Sequence, residues 1–370
     1  GVVAAESRLS QVSGEEGRLV YAGYEIGDLA EHATFEEVCH LLWYDGLPTR
    51  GQLDELERRF HEAAPVDPRI IELLRLAPLS AHPMATLRTA VSALAFYDPD
   101  ANDNSAEANE RKAIRLTAQA LTITAAIDRV RRGEDPLAPR NDLGLAANLL
   151  YMMRGEAPDA LAERIIDVAL ILHAEHGMNA STFASRVAAG TLSDMHGAVT
   201  AAIATLKGPL HGGANERVMQ MLEEIGDAAN AEAWVRGALD RGDRIMGFGH
   251  RVYRTLDPRA PILKRLAEQL SQRGGDTRWL DVSERIETVM RQEMDRRGKR
   301  IYPNVDFYSA SVYHTLGVSV DLFTAIFACA RMAGWTAHVI EQHRDNRLIR
   351  PKQTYIGPIG LEVQPIEHRG

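Results

Sequence analysis

Two histidines and one aspartate stand where they could move protons, and each lies beside a signal that breaks regular structure. His250 follows the flexible turn Gly247-Phe-Gly249, and Arg259 comes nine residues later, behind the helix-breaking Asp257-Pro258. A ring able to donate a proton and a guanidinium able to hold a carboxylate can then face one cavity. His211 lies in the tight turn Gly208-Pro-Leu-His-Gly-Gly213, which feeds a helix-forming stretch, Ala214–Ile225. The positive end of that helix dipole disfavours imidazolium. A neutral N–H there can polarise a carbonyl oxygen. Asp306 begins the apolar run Phe307–Leu316 and reads either as a general base or as a helix N-cap. The two roles compete, because a carboxylate that accepts backbone N–H bonds is a weaker base.

Other candidates are charged or ring-bearing residues in apolar surroundings. His173-Ala-Glu-His176 closes a helical pattern, and the i, i+3 spacing puts both rings on one face. No third ligand follows at a fitting distance and His-Glu-x-x-His is absent, so a metal site is not expected. One structural and one ligand-binding histidine is the better reading. Arg331 sits among Phe327, Ala328, Cys329, Ala330 and Met332. A lone buried charge there needs a carboxylate, from the protein or from a ligand. Arg350 lies in a C-terminal Arg-Pro-Lys. Gly247-Phe-Gly249 does not make a dinucleotide fingerprint, since Val252 takes the third glycine position; no Gly-Lys-Ser/Thr supports a phosphate loop.

The elements that must position these residues are helices. Residues 2–26 read as extended pieces around the Gly14–Gly17 turn, with Val2, Val3, Leu19, Val20 and Tyr21 as strand formers. Beyond them the 3.6-residue period dominates. Thr34-Phe-Glu-Glu37 is a capping box that opens a helix stopped by Gly46 and Pro48. Further helices are predicted at 51–63, 68–75, 83–96, 110–132, 142–153, 158–176, 180–189, 195–206, 214–225, 230–240, 260–272, 280–297, 306–315 and 320–341. Loops are expected at Asp98–Asn109, Gly133–Arg140 and Gly274–Thr277. The class is therefore mainly α, and a helical pattern continues in the tail to Tyr355.

A chain of 370 residues is long enough for a large core and two domains. Its 45% hydrophobic and 25% charged residues are ordinary for a globular protein. A net charge of -9 with dispersed basic residues argues against nucleic-acid binding, so an anionic ligand needs a local arginine cluster. The two cysteines, Cys39 and Cys329, give no disulfide framework and fit a reducing, cytoplasmic setting as buried thiols. The most apolar span, Leu322–Ile340, carries Arg331, Gly334 and His338, and a mid-span charge is costly in lipid. A buried core helix is expected there.

Taken in order, the motifs resemble the citrate synthase family over most of the chain. They are the opening Gly1–Tyr24, Ala81-His-Pro-Met84, Leu172–Asn179, Gly208–Asn215, Gly247–Arg259, Pro303–Ser309, Ala330–Trp335 and Ile349–Lys352. The resemblance implies a two-domain helical fold with a short N-terminal β-hairpin, as a homodimer. The large domain would be 1–211 plus 316–370 and the small domain 212–315, closing over the substrates. The implied reaction condenses acetyl-CoA with oxaloacetate and hydrolyses the thioester to citrate and CoA, at the first step of the tricarboxylic acid cycle. By resemblance Asp306 takes the methyl proton, His211 holds the thioester oxygen and His250 donates to the oxaloacetate carbonyl. Arg259, Arg331 and the other subunit's Arg350 would hold the carboxylates, with His176 nearby. No cofactor is implied beyond acetyl-CoA as co-substrate. For CoA, the backbone of Met246, Gly247, Phe248 and Gly249 is a candidate for the adenine. Arg251, Arg254, Lys264, Lys299 and Arg300 are candidates for the phosphates. The alternative is 2-methylcitrate synthase, which uses propionyl-CoA with the same residues.

Overall fold

The computed structural model, which describes residues 3–274 and 276–369, contains sixteen helices among those residues, most of them where an apolar period meets a capping side chain. The capping box of Thr34 and Glu37 starts α2 (Phe35–Tyr44), and Asp45 in the left-handed region, at φ 61°, ends it. Thr49 and Gln52 make a second capping box at α3 (Arg50–Ala63). Proline in the first turn begins α4 (Pro68–Leu76) and α5 (Pro83–Leu94). The chain continues through α6 (Ala106–Arg131), α7 (Leu145–Arg154), α8 (Ala160–His173), α9 (Ala180–Ala189) and α10 (Met195–Leu206). Then come α11 (Ala214–Ile225), α12 (Ala228–Arg241), α13 (Ala260–Gly274), α14 (Arg278–Arg296), α15 (Val305–Thr315) and α16 (Phe323–Arg344).

Several expectations change. The first helix, α1 (Ile26–His32), has no sequence signal, because Glu25 at its N-cap makes no side-chain cap and only Ile26, Leu29 and Ala30 are buried. Val3 is exposed and outside any strand, while Gly1, Val2 and Gly275 lie outside the described residues. The N-terminal hairpin gains a third strand: β1 (Ser10–Ser13), β2 (Arg18–Tyr21) and β3 (Tyr24–Glu25) form an antiparallel sheet in that order. Ser105 caps α6, so that helix absorbs part of the Asp98–Asn109 loop. α16 stops at Arg344, and the tail through Pro365 is irregular and largely exposed.

α16 is the centre of the core, buried along both sides and packed by α2, α6, α8, α9 and α10. Residues Val320–Arg344 are long and apolar enough to cross a membrane, yet the apolar window is wholly buried within the protein. A second set of contacts pairs α12 with α14, and α15 with both α11 and α13. Two details of the sheet matter for the site. The Tyr21 hydroxyl donates to the Glu175 carbonyl at 2.8 Å and so ties down the end of α8. The Gly14 carbonyl accepts from the Arg254 N–H at 2.9 Å, and a Cβ on Gly14 would lie 2.2 Å from the Val252 carbonyl oxygen. Only glycine lets this turn press on the segment that carries His250.

Candidate active site

His211 is held as a neutral ring of one tautomer. Its Nε2 accepts the Ser181 N–H at 3.2 Å and lies 2.8 Å from the Ser181 hydroxyl. A backbone N–H can only donate, so the ring proton is on Nδ1. Ser181 is in the first turn of α9, behind the Asn179 cap, and its Oγ also accepts from the Trp335 indole at 3.2 Å. Burial, with the field of Arg331, pushes the His211 pKa down to about 4. The sequence reading placed the neutralising helix end in α11, which His211 precedes. The end that meets its ring belongs to α9.

His250 is held in the opposite tautomer. Its Nδ1 accepts the N–H groups of Val252 and Tyr253 at 3.0 and 3.2 Å, so Nε2 carries the proton. Burial and Arg259 lower its pKa to about 4. Its ring lies 4.7 Å from that of Tyr253 and 5.2 Å from that of His176. His176 Nε2 is 3.1 Å from the Tyr253 hydroxyl, and burial with the Arg259 field lowers its pKa well below the usual value. α8 ends at His173, so His173 and His176 do not share a helical face. His173 is a buried structural residue, with Nδ1 2.7 Å from the Ala169 carbonyl and its ring against Phe327.

Asp306 is not the cap of α15. That cap is Asn304, whose side chain accepts the Asp306 N–H at 3.0 Å. The half-buried Asp306 carboxyl therefore keeps its lone pairs free of backbone donors. Burial raises its pKa to about 7, against the opposing fields of Arg259 and Arg331. Arg259 is fixed by its protein partner: Nε and Nη2 donate to Asp257 at 2.9 and 2.8 Å, and both residues are buried. Asp257 also accepts the Val305 N–H at 3.2 Å, one residue before Asp306. The Asp257 fork is thus what holds Arg259.

Arg331 is a buried cation held without an ion pair among the described residues. Its Nε donates to the His173 carbonyl at 2.6 Å and its guanidinium carbon lies 5.0 Å over the Phe327 ring. Among the described residues no carboxylate lies within ion-pair distance of it. The largest anionic influence on it is Glu175, a buried carboxylate that accepts from Ser10 at 2.9 Å and from His338 at 3.1 Å. Arg350 is exposed and is not brought to this site within its own chain. Its neighbour Ile349 packs on Gly190, past the end of α9 remote from His211, and that helix is ~15 Å long.

The CoA candidates divide. A cavity of about 400 Å³ beside His250 is lined by Gly249, Arg254, Arg300 and Tyr302 among others. Arg251 and Lys299 are exposed, Met246 is half-buried, and Phe248 packs edge-on against Phe307 at 4.7 Å. Gly247, at φ 76°, is pressed on Phe307, where a Cβ would come within 2.8 Å. Lys264 pairs with Glu287 at 3.0 Å and Glu284 at 3.4 Å and stands over the Tyr308 ring.

Sequence reasoning passed over Tyr253, Asp257, Ser181 and Asn304. Asp257 carries a signal, an acid two residues before Arg259, that its place in a helix-breaking Asp-Pro masks. Ser181 carried none, because its partner is thirty residues away.

The site and the fold together define an enzyme that handles a carbonyl acid with neutral histidines, buried arginines and one basic carboxyl. The family described as "Citrate synthase, C-terminal domain" matches residues 1–352. "Citrate synthase 2" of Bacillus subtilis (strain 168) is 49% identical over 370 residues, covering 100% of this chain and 98% of its own. The 2-methylcitrate synthase of Mycobacterium tuberculosis (strain H37Rv) is 45% identical, covering 96% and 89%. A ternary complex of carboxymethyl coenzyme A and oxaloacetate with the citrate synthase of Thermoplasma acidophilum superposes with a TM-score of 0.93 at 34% identity, covering 100% and 97%. The chain belongs to the citrate synthase family and is an acyltransferase of that family.

Proposed function

We propose that this chain condenses acetyl-CoA with oxaloacetate and hydrolyses the product to citrate and CoA, at the first step of the tricarboxylic acid cycle in the cytoplasm. One observation carries the reading: two neutral histidines hold opposite ring protons, and a carboxyl raised by burial to about 7 shares with them the fields of Arg259 and Arg331. The Asp306 carboxylate takes a proton from the acetyl methyl group while His211 Nδ1–H donates to the thioester oxygen, giving the enol. The enol carbon attacks the oxaloacetate ketone, and His250 Nε2–H supplies the proton that makes the new hydroxyl. Water then cleaves the citryl thioester. Each positioned acid or base contributes roughly 10²–10⁴-fold. Arg259 and Arg331 hold the carboxylates, because a guanidinium fork matches a carboxylate in two bonds.

The same reading makes residues 212–315 a small domain that closes on a large domain of 1–211 and 316–370. It also makes a homodimer in which Arg350 completes the partner's site. The exposed position of Arg350, away from its own chain's histidines, supports that sharing. Arg254, Arg300 and Lys299 take the CoA phosphates. The competing substrate is propionyl-CoA, favoured by the similarity to a 2-methylcitrate synthase. A methylene is worth only ~1–3 kcal/mol in an apolar pocket, so turnover must decide. CoA release is measured with each thioester and oxaloacetate. Higher kcat/KM with acetyl-CoA is expected, and a clear propionyl preference overturns the assignment.

A further inference from the structure

The proton donor and the base of the proposed reaction sit on different segments, and one side chain joins those segments. Asn304 is buried and hydrogen-bonded on every side. Its Nδ2 donates to the Gly249 carbonyl at 2.8 Å, next to His250. Its Oδ1 accepts the Asp306 N–H at 3.0 Å. Its backbone N–H donates to the Gly247 carbonyl at 2.8 Å, and its carbonyl accepts from Phe307 at 3.2 Å. The amide orientation is unambiguous, since a peptide N–H only donates and a peptide carbonyl only accepts. The neighbouring bonds continue this junction. Gly249 N–H donates to the Tyr302 carbonyl at 2.8 Å, and Phe248 and Pro303 form an isolated antiparallel bridge.

We infer that Asn304 is a positioning residue that fixes His250 relative to Asp306, so that donation to the ketone and removal of the methyl proton occur across one forming carbon–carbon bond. This rests on the function proposed above. Capping α15 needs only an acceptor, which serine or threonine supplies as well as asparagine. The bond from Nδ2 to Gly249 exceeds what a cap requires. It reaches a carbonyl fifty-five residues away, in the loop that aims His250. The chemistry explains why that reach is useful. Enolisation uses Asp306 and His211 alone, whereas condensation also requires His250 at the ketone.

The test separates those two steps. Asn304→Ser and Asn304→Thr keep the cap acceptor and lose the reach to Gly249. Enolisation is read as deuterium uptake into the acetyl-CoA methyl group in D2O with malate bound, which has the carboxylates but no ketone. Condensation is read as citrate formation. Both variants are expected to keep methyl exchange and oxaloacetate KM within about 3-fold of the parent. Citrate formation should fall on the order of 10–100-fold, the cost of small misplacement of a reacting group. Citrate formation near the parent rate overturns the inference. So does a parallel fall in exchange and condensation, or failure of both variants to fold, each of which makes the bond to Gly249 general structural support and not a link specific to His250. An unsubstituted chain that makes no citrate removes instead the proposed function.

Discussion

Replacing the base should make the protein inactive and more stable at once. Asp306→Asn keeps the size of the side chain and removes its charge. The native carboxyl titrates at about 7 against a reference of 3.8, chiefly because burial penalises the anion. That interval corresponds to about 4 kcal/mol of destabilisation at alkaline pH, and the side chain's partial opening to the cleft reduces it to about 2–4 kcal/mol. Between pH ~4 and ~7 the native state keeps a proton that the unfolded chain has released. Stability of the parent therefore falls as pH rises through that window and is level above it. The asparagine variant has no such dependence. For 370 residues each kcal/mol moves the melting temperature by roughly 1–1.5 °C, so a gain of about 2–6 °C is expected at pH 8.5. The gain should shrink toward zero at pH 4. Thermal and urea unfolding of both proteins at pH 4, 5.5, 7 and 8.5 measures it, with citrate formation assayed alongside. A variant that melts below the parent at pH 8.5, or whose advantage is the same at every pH, refutes the raised pKa. Near-normal citrate formation refutes Asp306 as the base.

Arg331→Met should raise KM for oxaloacetate by roughly 30–1000-fold, the cost of about 2–4 kcal/mol for a buried charge partner. Because this guanidinium has no carboxylate partner among the described residues, melting should not fall, and a large loss of stability would show a structural role instead. Gly334→Ala should destabilise by more than about 3 kcal/mol and weaken oxaloacetate binding. A Cβ there would lie 2.3 Å from the Ala174 carbonyl oxygen and 2.4 Å from Glu175 Oε2, forcing α16 away from the end of α8; a variant that melts and binds normally contradicts this. Arg259→Ala and Arg350→Ala should each be nearly inactive, and mixing them should restore one working site per hybrid dimer. No recovery after verified subunit exchange counts against a shared site.

The helices were legible because their signals are local. The Thr34–Glu37 box and the Ala180–Ala189 and Met195–Leu206 periods fold as read. α1 was not legible, since a seven-residue helix with an uncapped start is held by packing on α8 rather than by its own sequence. At the site, residue types were legible and their partners were not. Nothing near His211 points to Ser181, whereas Asn304, two positions before Asp306, is itself a strong N-cap residue and so carries a local signal for the capping. The reading of His173 and His176 as one face failed for a local reason. The helix ends at His173, and the Tyr21 hydroxyl holds the next turn in another direction.

In the proposed reaction Arg259 and Arg331 do more than recognise an anion. Burial lowers the pKa of His211, and Arg331 lowers it further; burial and Arg259 do the same for His250. The guanidinium groups thus help keep both rings as neutral donors, while the acidic character of the rest of the chain leaves them as the local positive charge. They also pull the Asp306 pKa down against burial. When a dicarboxylate pairs with them, that downward pull is offset, and Asp306 becomes a stronger base once oxaloacetate is in place. The acid limb of kcat, which reports the substrate complex, should therefore lie at higher pH than the acid limb of kcat/KM for oxaloacetate, which reports the free enzyme near pH 7. Paired pH profiles measure the order of the two limbs. A kcat limb at lower pH would mean that the arginines keep their hold on Asp306 in the complex, and the electrostatic argument would fail.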